Sequence, residues 1–267
     1  MSRIHEALKK AELVLPLLQR TRSAIESRIR LLLLNQFKRL RFVCPICGYE
    51  GVFLDRNAET GKRRHAECPQ CHALERHRLQ WLVLNELQKE MALSQLRVLH
   101  MAPEPFFETR LRTSCRSYIT ADISGRGVDR REDLTHLSFP DGSFDLVYAS
   151  HVLEHILDDQ SAIREIRRVL SVGGVAVLPV PIISNSTVEY GEPNPFEVYH
   201  VRAPGLDYFD RYKTIFGRVK IFESISFDPK FQVWIYEDRS NLPTPRMPKR
   251  PKVIGSVHAD YVPVCYD

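Results

Sequence analysis

No stretch of this chain is hydrophobic enough to cross a bilayer. Its longest purely aliphatic run, Leu31 to Leu34, falls far short of the roughly 20 apolar residues a spanning helix needs, so no transmembrane segment is expected. An apolar leader is missing too, because Met1 to Lys10 (MSRIHEALKK) runs into a charged helical pattern without a small-residue cleavage site. A cytoplasmic location is the expectation. Internal repeats are absent, and 43% hydrophobic with 27% charged residues excludes wholesale disorder. At 267 residues there is room for one sizeable domain and a small module.

Positive charge is present but gathered at one end. The net charge is +5, whereas residues 1–41 hold ten Lys and Arg against three Glu, an excess of seven. Such a segment reads first as a solvated helix face; contact with nucleic-acid phosphates is the alternative, without an aromatic-rich RNA-binding signature to accompany it. Ile25, Ile29, Leu32, Leu33, Phe37 and Leu40 recur at three- and four-residue steps and predict an amphipathic helix. Pro16 separates it from a shorter helix before it.

Six cysteines are present, and four form two knuckles, Cys44-Pro-Ile-Cys47 and Cys68-Pro-Gln-Cys71, with twenty residues between them. Each Cys-x-x-Cys turn aims two thiolates at one point, and two such turns complete a tetrahedral sulfur site. Structural zinc bound by Cys44, Cys47, Cys68 and Cys71 is predicted, with the metal supplying much of the folding energy of so short a segment. Paired redox disulfides fit a reducing compartment poorly. Cys115 and Cys265 read as ordinary thiols, and His65, His72 and His77 as surface histidines.

Residues 73 to 92 are helical in period. After them, LRVLHM (96 to 101), YITAD (118 to 122), FDLVYAS (144 to 150) and VAVLPV (175 to 180) are apolar runs of strand length. Helical stretches such as 159 to 170 separate them. That alternation predicts an α/β fold with a mainly parallel sheet covered on both faces. Asp207 to Phe216 reads as a further helix, Arg218 to Phe222 and Phe231 to Glu237 as two final strands. The proline-rich, basic stretch from Arg239 reads as an extended surface tail. The expected organisation is a basic helical segment (1–41), a zinc ribbon with its connecting helix (42–92), the α/β domain (93–238) and the tail (239–267).

Within that pattern His151-x-x-Glu154-His155 matches a metalloprotease zinc spelling. A strand runs directly into it, however, and a helix closed by Gly173-Gly174 and another strand follow, so the peptidase reading is set aside. Loops at the carboxyl ends of parallel strands are where ligands bind. The stretch SFPDGSFDLVYASHVLEHILDDQSAIREIRRVLSVGGVAVLPVP resembles the second half of a class I S-adenosylmethionine-dependent methyltransferase of the type 11 kind. The likeness spans roughly 95 to 237 and is most characteristic from 133 to 181. It implies a seven-stranded Rossmann-like sheet, and S-adenosylmethionine as cofactor. The cysteine module followed by Glu75-Arg76-His77-Arg78 is similar to a zinc ribbon preceding such domains in some bacterial proteins.

Carried over position by position, the resemblance implies that Asp122 accepts the ribose hydroxyls, since each carboxylate oxygen takes one strong hydrogen bond. Asp133 and Leu134 match the pair at the adenine. Ser150 and His151 border the sulfonium end. The first motif departs from the family: where glycines are usual, this chain has His100-Met101-Ala102-Pro103-Glu104-Pro105-Phe106, with no glycine and with two prolines lacking an N–H. It resembles a His-x-Ala-Pro-Glu subgroup, and implies cofactor contacts from His100, Ala102 and Glu104.

Methyl transfer needs alignment of donor and acceptor, sometimes with a base. His151 and His200 are the candidate bases, His155 is expected to orient the loop and touch substrate, and Arg202 to anchor an anionic group. A divalent cation at Glu154 and His155 is not expected, because position 151 carries an imidazole and not a further carboxylate. The expected activity is methylation of a small-molecule or sugar-containing (glycan-type) acceptor. The alternatives are a nucleic-acid methyltransferase and a non-catalytic adaptor that retains the fold.

Overall fold

The computed structural model describes residues 41–58 and 61–267; the predicted N-terminal helices and the basic segment up to residue 40 lie outside them. Among the described residues no helix is long and apolar enough to cross a membrane.

The molecule is organised on a seven-stranded sheet. In chain order its strands are β5 (Arg97–Met101), β6 (Ser117–Asp122), β7 (Arg130–Arg131), β8 (Phe144–Ala149), β9 (Leu170–Val177), β12 (Arg218–Glu223) and β13 (Tyr261–Tyr266). Their spatial order is β12-β13-β9-β8-β5-β6-β7. From β7 to β9 all pairs are parallel, whereas β13 is antiparallel to both of its neighbours. Numbered one to seven along the chain, the order reads 3-2-1-4-5-7-6, with one reversed strand inserted between the fifth and sixth.

Interior parallel strands are buried on both faces, which is why they read as apolar runs. Successive side chains alternate between two cores. Val98, Leu146, Val177 and Val264 face α1 (Glu75–Leu87) and α2 (Pro105–Ser114), meeting Leu79, Val83, Leu87, Phe107 and Leu111. Leu99, Val147, Ala176 and Cys265 face α3 (Asp159–Val169) and α4 (Phe209–Lys213). Helix α3 is amphipathic, with Ala162, Ile163, Ile166 and Val169 buried, and it starts where the Asp158 carboxylate accepts the N–H of Ser161 at 3.0 Å.

The C-terminal end departs from the expectation. Phe231–Glu237 is not a strand of the sheet; Phe231 closes a short 3₁₀ turn, and the following residues strap the cysteine module through a bridge between Arg64 and Tyr236. The seventh strand is Tyr261–Tyr266, so residues 239–267 are no surface tail: Leu242, Met247, Val262, Val264 and Cys265 are buried. Pro263 masks this strand in the sequence, because prolines are rare inside sheets. Its carbonyl accepts the N–H of Leu178, just beyond the end of β9. The missing N–H therefore falls on a side where the ladder has already run out.

The module is two small hairpins, β1 (Phe42–Val43) with β2 (Glu50–Gly51) and β3 (Leu54–Ala58) with β4 (Gly61–Glu67). Helix α1 fastens it to the sheet. Arg78 is fully buried, donates to the carbonyls of Ala66, Ala73, Phe231 and Gln232, and lies 4.4 Å over the Phe53 ring. A last hairpin, β10 (Val188–Asn194) with β11 (His200–Ala203), follows β9.

Candidate active site

Beyond the carboxyl ends of β5, β6 and β8 lies a cavity of about 350 Å³ walled by Ala102, Asp122, Asp133, Leu134, His151 and His155 among others. Asp122 ends β6 and fixes its turn by accepting the N–H of Ser124 at 2.7 Å. Asp133 accepts both the N–H and the hydroxyl of Thr135, at 2.9 and 2.8 Å, and the backbone bond first of all holds its carboxyl below the ordinary range. Ala102 sits at φ +47°, and its N–H donates to Ala121 at 2.8 Å. The glycine-free motif thus makes a left-handed turn with alanine, at a cost of about 1–2 kcal/mol.

A second cavity of about 370 Å³ lies beside the first, and His151 and His155 line both. Its wall is assembled from distant parts of the chain: Arg63 of the module, Arg76 of α1, His200 of β11, and Arg239 and Arg250 of the C-terminal segment. Each arginine has a carboxylate partner: Glu75, Glu104, Glu237 and Glu197 respectively, at 2.8–3.1 Å. Carboxylates of Glu154 and Asp260 complete the lining, so its charges are balanced.

His151 stands at φ +55° with its N–H tied to Pro179 at 2.9 Å, and its Nδ1 lies 3.2 Å from Oε1 of Glu154. Glu154 is wholly buried, and Nε2 of His200 approaches the same oxygen at 3.9 Å. Burial pushes His200 down to about 4, so its imidazole is neutral at pH 7. His155 and His200 meet edge to face with ring centroids 4.7 Å apart.

Four other anticipated residues are absent from both cavity walls. His100 is fully buried in β5, bonded through Nδ1 to the Tyr118 hydroxyl and packed on Tyr148; burial pushes it down to about 3. Its side chain belongs to the α1 face of the sheet, one residue short of the turn that bounds the cavity. Glu104 instead clamps α1: burial alone would raise its carboxyl, but bonds from His77 and Arg76 hold it at about 2. His77 is accordingly a buried residue and not a surface one. Its Nδ1 accepts the N–H of Leu74, which leaves Nε2 to donate to Glu104 at 2.7 Å. Ser150 donates to Gln80 of α1. Arg202 is 2% exposed and holds the His151–His155 loop from behind, donating to the carbonyls of Leu153, Ile156 and Leu157 and pairing with Glu189 and Asp159. It anchors a loop, not a ligand.

Sequence reasoning missed the arginines of the second cavity and the role of Gln80. Only the three-dimensional meeting of module, α1 and C-terminal segment brings those arginines together, and no local motif marks them.

In the module, the four cysteines are free of disulfides, and Cys44 to Cys71 and Cys47 to Cys68 have sulfurs 3.6 Å apart. Tetrahedral zinc with bonds of about 2.3 Å sets sulfurs ~3.8 Å apart, so the residues fit the metal.

A family model described as "Methyltransferase domain" matches residues 108–178. No curated protein gives a significant match. Among solved structures the chain is similar to an S-adenosylmethionine-dependent methyltransferase from Mesorhizobium loti (16% identity, TM-score 0.46, covering 71% of this chain and 98% of that one). A methyltransferase from Archaeoglobus fulgidus gives 16% identity and a TM-score of 0.45 over 70% and 94% of the two chains. The cyclase SpnF gives 15% and 0.43 over 72% and 82%. These likenesses are remote. The matched stretch is similar to a methyltransferase domain, and the strand order with its single reversed strand is typical of the Rossmann-like methyltransferase fold. A four-cysteine cluster precedes that stretch in the chain.

Proposed function

We propose that the chain methylates a small polar acceptor, such as a hydroxyl-rich or sugar-containing molecule, held in the arginine-lined cavity. The carrying observation is the shared wall: His151 and His155 border both cavities, so a donor in one and an acceptor in the other meet there. Bound S-adenosylmethionine supplies a methyl group already activated by its sulfonium charge. Asp122 and Asp133 hold the nucleoside by their carboxylates, and the left-handed turn at Ala102 lets the backbone come close. His151, oriented by Glu154, takes the acceptor's proton.

The balanced lining favours a compact polar acceptor over nucleic acid, since a phosphate backbone calls for unpaired positive charge. We assign structural zinc to Cys44, Cys47, Cys68 and Cys71; four thiolates leave no open position, so the metal serves folding and not chemistry. Calorimetric titration with S-adenosylmethionine tests the donor site. Saturable heat that is lost or weakened at least tenfold in Asp122→Ala supports the reading, and no heat from the intact protein overturns it in favour of an adaptor.

A further inference from the structure

On the sequence alone no divalent cation is expected at Glu154 and His155, because position 151 carries an imidazole and not a further carboxylate. The fold supplies another donor. Strand β11 places His200 against the loop, and one donor atom each from Glu154, His155 and His200 falls within 4.8 Å of the others. We propose that Glu154, His155 and His200 bind a divalent transition-metal ion that faces the acceptor cavity.

Three features carry this. The first is Glu154: it is fully buried, and beyond its ion-pair contact with His151 neither carboxylate oxygen has a hydrogen-bond partner. A buried carboxylate so short of donors is costly, and the groups that surround it are imidazoles, His151 at 3.2 Å and His200 at 3.9 Å. A cation between them satisfies the carboxylate.

The second is the scaffold. Arg202, two residues after His200 on the same strand, grips the carbonyls of Leu153, Ile156 and Leu157 on either side of the Glu154–His155 turn. The spacing between strand and turn is thereby fixed, as positioned ligands require. His155 is exposed at its outer side and meets His200 edge to face. Coordination at ~2.1 Å draws tetrahedral ligands to ~3.4 Å of one another, which the side chain of His155 reaches by rotation.

The third is the donor set. Two imidazoles and one carboxylate suit zinc, iron, cobalt or manganese better than the all-oxygen shells of calcium or magnesium. Three protein ligands leave a position open, the arrangement of catalytic rather than structural sites. All three residues line the arginine-rich cavity, so the open position is filled by water or by an acceptor hydroxyl, whose acidity the metal raises. His151 remains beside the site to take the proton. This catalytic role rests on the function proposed above; the binding itself does not.

The test is a titration of the full-length protein, preloaded with one equivalent of zinc at the cysteines, with Co²⁺ followed by calorimetry and visible absorption. One further equivalent should bind with the spectrum of a nitrogen–oxygen site, free of thiolate-to-cobalt charge transfer. Affinity should fall at least tenfold in His155→Ala, whose exposed side chain leaves the fold intact by circular dichroism, and likewise in Glu154→Gln and His200→Ala. Absence of a second equivalent, or undiminished binding in His155→Ala, overturns the proposal. S-adenosylmethionine heats measured on the same sample read the donor site separately, so failure of the metal and failure of the methyltransferase reading are told apart.

Discussion

Replacing Arg78 by methionine tests whether the cysteine module and the sheet domain fold as one body. The side chain is wholly buried, and its guanidinium serves carbonyls from β4, from the second knuckle and from the strap after β12. Methionine keeps most of the stem and removes every donor. Ala73 retains a second donor, the N–H of Cys68, whereas the carbonyls of Ala66, Phe231 and Gln232 lose theirs. At about 1–3 kcal/mol for each buried acceptor left without a partner, the gross loss is ~3–9 kcal/mol. Relief from burying a cation offsets part of this, and a net loss of about 3 kcal/mol is expected. Burial lowers the guanidinium to about 10, so it is charged in the wild type at neutral pH. Urea unfolding of the metal-loaded protein, followed by tryptophan fluorescence, gives the number. Arg78→Lys should recover only part of it, because an ammonium cannot reproduce the planar fork. A loss under about 1 kcal/mol in Arg78→Met would refute the claim that this side chain joins the two parts.

Further outcomes follow from other residues. Asp145 accepts the side chain and N–H of Arg97 and the hydroxyl of Ser171, and the Arg97 guanidinium first of all holds its carboxyl at about 2. Its folded value lies below the unfolded one, so its stabilisation is complete above roughly pH 4 and is lost as the pH falls toward about 2. Asp145→Asn should lower the urea midpoint at pH 7 and flatten its decline in acid. Ala102→Gly should be neutral or stabilising by up to about 1 kcal/mol in thermal unfolding, since glycine reaches φ > 0 without the Cβ penalty; a clear loss would contradict the backbone argument. Stripping metal from the cysteines with a chelator should expose the segment 44–71 to trypsin well before the sheet unfolds, as read by timed digestion.

Much of the sheet was legible because buried parallel strands announce themselves. LRVLHM, FDLVYAS and the amphipathic pattern of 159 to 170 lie within a few residues of β5, β8 and α3. Strand β13 was not, because Pro263 breaks the local signal and its partners lie far away in the chain. The site divides along the same line. Ala102, Asp122, Asp133, Leu134, His151 and His155 sit at the ends of strands or in the loops just after them, where a motif fixes position and direction together. His100 and Ser150 are one step back along their strands, and that single residue turns them toward α1. Arg202 lies two residues after His200 yet points behind the loop, a direction that depends on how β11 packs against it. Knuckle spacing alone was enough for the cysteine cluster, since four convergent thiolates need little tertiary context.

The most direct measurement is a crystal structure with S-adenosylhomocysteine bound. The ribose hydroxyls should lie on Asp122, the adenine by Asp133 and Leu134, and the sulfur at the wall formed by His151 and His155, facing the arginine-lined cavity. A nucleoside lodged among the arginines, or one whose sugar lies away from Asp122, would contradict this placement.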